Sequence, residues 1–239
     1  MAIETMMMRL MGKIPKGHNY YKGKYRDGDA AFTYLDSNDT ILFDGMFRFT
    51  RNRGGRKLMA KGSYAGDLKD GEWSMSRKSN NRVLWTEAFF SEGRLTGELF
   101  CHSEEQMISG YRSQIVVVYV KNGFATGQVT GNINGGLLTG QLDEAGYPDG
   151  YWSLTFSNEA DNGNSSIECE KWEHGVLRSS WTKNLYSTKR TYRHVGIFQH
   201  VEYLLKAEVQ PLLNLIHHGA TDQHIRMQST SRWGQAIQM

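Results

Sequence analysis

The sequence predicts a mainly β chain of antiparallel hairpins that ends in a helical segment. Three observations carry this: glycine is abundant while proline is scarce, short aromatic and β-branched runs alternate with polar-glycine pairs, and a helical apolar period begins only after residue 182. The chain has 26 Gly and 3 Pro in 239 residues, with aromatics at 12%. Such glycine exceeds the average of roughly 7%, and so little proline argues against a disordered linker. The composition reads as many tight turns.

Strand-length runs rich in aromatic and β-branched residues fall at 46–50, 83–90, 114–120, 152–156 and 167–172. The run at 114–120 (QIVVVYV) lacks clean alternation and predicts a strand covered on both faces. A polar residue precedes glycine at Asp27-Gly28, Asp44-Gly45, Asp70-Gly71, Glu92-Gly93, Asn122-Gly123, Asn134-Gly135, Asp149-Gly150 and His174-Gly175. Type I′ hairpin turns need positive φ at both central residues, which such pairs tolerate, so each pair predicts a reversal.

The chain also repeats itself. Leu95-Thr96-Gly97-Glu98-Leu99, Ala125-Thr126-Gly127-Gln128-Val129 and Leu138-Thr139-Gly140-Gln141-Leu142 nearly superimpose. So do Asp70-Gly71-Glu72-Trp73-Ser74-Met75 and Asp149-Gly150-Tyr151-Trp152-Ser153-Leu154. Central glycines Gly45, Gly71, Gly97, Gly127 and Gly150 recur at an irregular but repeat-like period. The pattern Lys61-Gly62-Ser63-Tyr64-Ala65-Gly66, then Lys69-Asp70-Gly71-Glu72-Trp73, resembles MORN repeats (membrane occupation and recognition nexus), especially their bacterial, antitoxin-associated variants. The resemblance covers residues 20–182 and is clearest over 61–156. It departs from the strict repeat period, as in the 12-residue step from Gly123 to Gly135. It implies hairpins joined into an elongated sheet, with an ordinary antiparallel β-domain as the competing reading. Exposed repeat aromatics such as Tyr64 and Trp73 are expected to be packing ridges between hairpins.

After residue 182, Val195, Phe198, Val201, Leu205, Val209, Leu212 and Ile216 follow at steps of three and four, one face of a helix. Gly219 is a plausible stop, and Pro211 predicts a kink or two shorter helices. The expected organisation is a tail at 1–19, repeats at 20–182, a helical segment at 183–219 packed on or capping the sheet, and a tail at 220–239. The face formed by Phe198, Val201, Leu205, Val209, Leu212 and Ile216 is the candidate partner-binding surface if it docks another chain.

No signature of catalysis emerges. The sequence has no G-x-S-x-G elbow, no H-E-x-x-H and no phosphate loop, so no cofactor or metal is expected. His217, His218 and His224 cluster with only Asp222 nearby. Cys101 and His102, followed by Glu104 and Glu105, would have to meet across opposite faces of a strand. Glu168 and Glu170 flank Cys169 and share a face if their strand is regular. Too few residues follow the repeats to hold an attached catalytic domain.

Charge bounds the partners. Lys plus Arg is 28 and Asp plus Glu is 25, a net charge of +3, too small for a dedicated nucleic-acid binder. No apolar run reaches the roughly 20 residues of a spanning helix, and the Met-rich start lacks a leader's long apolar core. Two separated cysteines fit a reducing, cytoplasmic setting. Residues 48–61 carry Arg48, Arg51, Arg53, Arg56, Lys57 and Lys61 without an acid, and Asn52-Arg53-Gly54-Gly55-Arg56 reads as a flexible loop. Phosphate or acidic lipid could bind there. The expectation is a non-catalytic interaction or scaffold protein that binds another chain or itself. A peripheral module for acidic lipid or another polyanion is the first alternative, with membrane contact weakly supported. An antitoxin or immunity-like regulator, implied by the resemblance alone, is the second.

Overall fold

The computed structural model describes residues 14–37, 40–121, 123–157, 165–185, 189–193 and 195–214. The expected tail at 220–239 and most of that at 1–19 lie outside them, as do Ile216, His217, His218, Gly219, Asp222 and His224. One antiparallel sheet takes its strands strictly in chain order. Its first seven are β1 (Asn19–Tyr25), β2 (Gly28–Ser37), β3 (Thr40–Arg53), β4 (Arg56–Ala65), β5 (Leu68–Lys78), β6 (Arg82–Ser91) and β7 (Arg94–Met107). Then follow β8 (Gly110–Lys121), β9 (Phe124–Ile133), β10 (Gly136–Leu142), β11 (Pro148–Phe156), β12 (Ser166–Glu173), β13 (Val176–Asn184) and β14 (Thr191–Tyr192). Among the described residues the sheet is open, since β1 and β14 each pair on one side only.

The repeat is a two-strand unit marked by a bulge. Every second pairing, from β2–β3 to β12–β13, shifts register, while the pairings between them are regular. Gly45, Gly71, Gly97, Gly127 and Gly150 sit at five of these bulges, all at φ between 68° and 84°. Asp44-Gly45, Asp70-Gly71 and Asp149-Gly150 are therefore not the expected hairpin turns. They lie inside β3, β5 and β11, because a bulge needs the same left-handed backbone as a type I′ turn. Hairpin turns do occur at Glu92-Gly93, Asn134-Gly135 and His174-Gly175, where both residues have positive φ. The first turn falls one residue before Asp27-Gly28, at Arg26-Asp27. Three of these bulges also anchor the turn of the next hairpin. Asp67, Gly93 and Gly175 donate their N–H groups to the carbonyls of Phe43, Lys69 and Pro148, each one residue before a Asp-Gly pair.

The repeated Gly and Trp explain one another. Trp73 lies over Gly62 on the neighbouring strand and donates its indole N–H to the Ser63 carbonyl at 3.0 Å. Trp152 does the same over Gly140, donating to the Gln141 carbonyl at 3.0 Å. Both rings are buried, as is Tyr64, so these aromatics pack between strands but are core residues and not the exposed ones expected.

The C-terminal helical segment crosses one face of the sheet, hereafter the inner face. It comprises α1 (Ile197–Tyr203), a wider π turn (Leu204–Val209) and α2 (Gln210–Leu213). The break expected at Pro211 is absorbed just before it. Gln210 donates its N–H to Leu205, five residues back, and this widening accommodates a proline ring that would crowd a regular helix. The doubly covered strand expected at 114–120 is corrected as well. Val116, Val118 and Val120 of β8 are buried on the inner face, whereas Ile115 and Val117 are half-buried and Tyr119 is exposed on the outer one.

Replacing Gly71 or Gly127 with Ala costs about 1 kcal/mol each from backbone strain, because an added Cβ meets nothing within 4 Å. Replacing Gly62 or Gly140 costs more, about 2 kcal/mol, since that Cβ would lie 2.2 Å from Trp73 or 2.4 Å from Trp152. Urea denaturation of the four variants checks the ordering.

Candidate functional site

The inner face is committed to the chain's own core. Phe198, Val201, Leu205, Val209 and Leu212, the expected partner-binding face of the helix, are all buried against the sheet. Phe198 packs edge-on to Trp152 and Trp172, with ring centroids 5.2 Å and 5.1 Å away.

Buried charges hold this helix at three points. Glu170 on β12 is fully buried, and its carboxylate accepts the N–H groups of Ile197 at 2.9 Å and Phe198 at 3.1 Å, with the Trp172 indole at 3.0 Å. A carboxylate there satisfies free helix donors and suits the positive end of the helix dipole. At the opposite end, Lys69 on β5 donates to the Leu213 carbonyl at 2.6 Å and faces the Trp73 and Phe90 rings. Between them, Glu208 binds Arg77 of β5 and Arg82 of β6.

These contacts dispose of the catalytic candidates. Glu168 and Glu170 share a face as expected, but Glu170 caps the helix and Glu168 pairs with Arg193 at 2.8 Å. Cys101 is buried on the inner face, where burial pushes its thiol up to about 12, while His102 lies on the outer face. His102 Nε2 is 3.2 Å from Glu104 and 3.5 Å from Ser113. One nitrogen facing both groups cannot relay a proton between them, as a triad requires. Among the described residues no group of three or more His, Cys, Asp or Glu is placed to hold a metal ion, and no helix is long and apolar enough to cross a membrane.

The outer face is the exposed surface. Apolar side chains gather on β6 to β8 at its middle: Trp85, Phe89 and Tyr119 are 36%, 43% and 48% exposed, with Phe100, Ile115 and Val117 half-buried among them, while Leu137 on β10 stands apart across Thr130 and Asn132 of β9. Trp85 meets Phe100 edge-on at 5.6 Å and donates its indole N–H to Ser74 at 3.0 Å, which fixes its ring. Beside this band an open groove of about 700 Å³ runs from β3 to β7, lined by Arg48, Lys61, Glu72, Glu87, Phe89 and Glu98 among others.

The sequence's basic stretch is divided rather than gathered. The flexible loop expected at 52–56 is a two-residue turn, Gly54-Gly55, with strand up to Arg53 and from Arg56. Strand alternation sends Arg48, Lys57 and Lys61 to the outer face and Arg51, Arg53 and Arg56 to the other side. Arg51 is bound to Asp27 at 2.5 Å. Register adds Lys78, directly opposite Lys57, which sequence proximity could not reveal.

The chain matches no protein-family model and no curated protein.

Lys69 yields a pH signature for the helix contact. Burial brings its pKa down from 10.5 to about 7. Below that pH the ammonium is charged whether the chain is folded or not, and the fold carries the full desolvation penalty. Between about pH 7 and pH 10 the unfolded chain binds the extra proton, so this residue's contribution to stability rises with pH. Urea midpoints of the native chain should therefore gain on those of Lys69→Met across this range.

Proposed function

We propose that this protein is a non-catalytic protein–protein interaction module, a scaffold whose outer sheet face receives another chain. The observation that carries this reading is the exposed apolar band on β6 to β8, from Trp85 to Tyr119, on the face that the helix leaves open. Monomeric soluble proteins rarely expose contiguous apolar area beyond a few hundred Å², and larger patches mark interaction surfaces. A twisted sheet braced from behind by its own helix offers a preformed surface, so little ordering entropy opposes binding. The resemblance to MORN repeats belongs with this reading, as does a reducing, cytoplasmic setting for two buried free thiols, Cys101 and Cys169.

The test is photo-crosslinking in native extract, with a photoreactive side chain at Phe89 of the full chain and, as a control, at the exposed Glu144 turn. The Phe89 probe should form a discrete adduct with another polypeptide, weakened at least about tenfold by Val117→Glu, which puts a charge in the middle of the band. Identical background labelling from both positions would contradict the proposal.

A further inference from the structure

The outer face segregates its charges beside its apolar band. Across β3 to β7 the register sets Arg48, Lys61, Ser74, Glu87 and Phe100 in one transverse row. A second row, one step along the strands, holds Thr50, Met59, Ser76, Trp85 and His102. Like charges directly opposite one another destabilise a sheet, yet Arg48 faces Lys61 and, further along, Lys57 faces Lys78. Among the described residues Lys61, Glu87 and Glu98 enter no ion pair. Cations thus occupy β3 and β4 and acids occupy β6 and β7, with Ser74 and Ser76 between them on β5 in these two rows and Glu72 and Lys78 beyond the rows at either end.

We infer that the chain occupying this face is a second copy of the protein, docked face to face about a two-fold axis running along β5. The inference rests on the reading of the outer face as an interaction surface and names its partner. Rotation about that axis lays β4 over β6 of the second copy and β3 over its β7, while each row stays in line. Lys61 then meets Glu87 of the second copy, Arg48 meets its Phe100, and Met59, itself 43% exposed, meets its Trp85.

These are an ion pair, a cation–π contact and a sulfur–aromatic contact, and the symmetry forms each of them twice. Ser74 and Ser76 lie on the axis, where small side chains let the two sheets approach. Glu72 and Lys78, also on β5, face their own copies at the solvated margins, where such repulsion is weak. Strands β2 to β8, the set that this axis exchanges in pairs, span about 34 Å at about 4.8 Å per strand, and about 20 Å of their length is outward-facing. Roughly 670 Å² per copy is enough for a specific interface.

Sedimentation equilibrium of the full chain, with Lys61→Glu and Glu87→Lys alone and mixed, tests the inference. The native chain should dimerise at micromolar concentration and weaken with added salt, and each variant alone should associate at least about tenfold less. Mixing the two variants should restore association, because the mixed dimer re-forms both ion pairs, one with its native residues and one with reversed polarity. A monomeric native chain, variants that dimerise as the native chain does, or a mixture that stays monomeric would overturn it. The Phe89 crosslink separates the two proposals: a monomeric chain whose probe still captures a different polypeptide removes the second copy and leaves the interaction module standing. A monomeric chain with background labelling alone removes both.

Discussion

The structure depends on the contact between Glu170 and the first turn of the C-terminal helix. A buried carboxylate is tolerated only when its oxygens are satisfied, and here two backbone N–H groups and an indole satisfy them. The same bonds satisfy donors that a helix start would otherwise leave unpaired. Sheet and helix thereby resolve each other's polar deficits, and the Lys69–Leu213 contact does so at the far end. An open sheet needs cover for one face, and this helix supplies it from within the chain. The other face is left as the surface on which recognition can occur.

The repeat gives that surface its rigidity. A bulge at every second pairing strengthens local twist, and those of β3, β5 and β11 also hold the following hairpin turn. Trp73 over Gly62 and Trp152 over Gly140 lock neighbouring strands by a ring filling the space that a missing side chain leaves. Stacking the same unit side by side yields a continuous core and a continuous outer face. The proposed partner would be met by area and by rows of side chains rather than by an enclosed pocket.

Much of this was legible in the sequence where the signal is local. The strands, the recurrent glycines and the helical face from Phe198 to Leu212 all follow from spacing and composition. The Asp-Gly pairs misled because bulges and type I′ turns ask for the same backbone, and only pairing tells them apart. The 114–120 strand misled in a similar way. Its outward Ile115, Val117 and Tyr119 imitate a buried run, since an exposed apolar face and a core have the same composition. Register could not be read at all. Glu170 capping a helix 27 residues away, Lys78 opposite Lys57, and the division of the basic stretch between two faces depend on long-range pairing.

Hydrogen exchange at the backbone amides of Ile197 and Phe198 tests the central claim most directly. These donors begin the helix, where no intrahelical partner protects them, so only the Glu170 carboxylate can slow their exchange. The account predicts protection approaching that of the central strands, lost in Glu170→Met, which removes both acceptors, while Val118 on β8 stays protected. Exchange at unprotected rates in the native chain would mean that the helix is not held on the sheet, and the inner face would then be open to other partners.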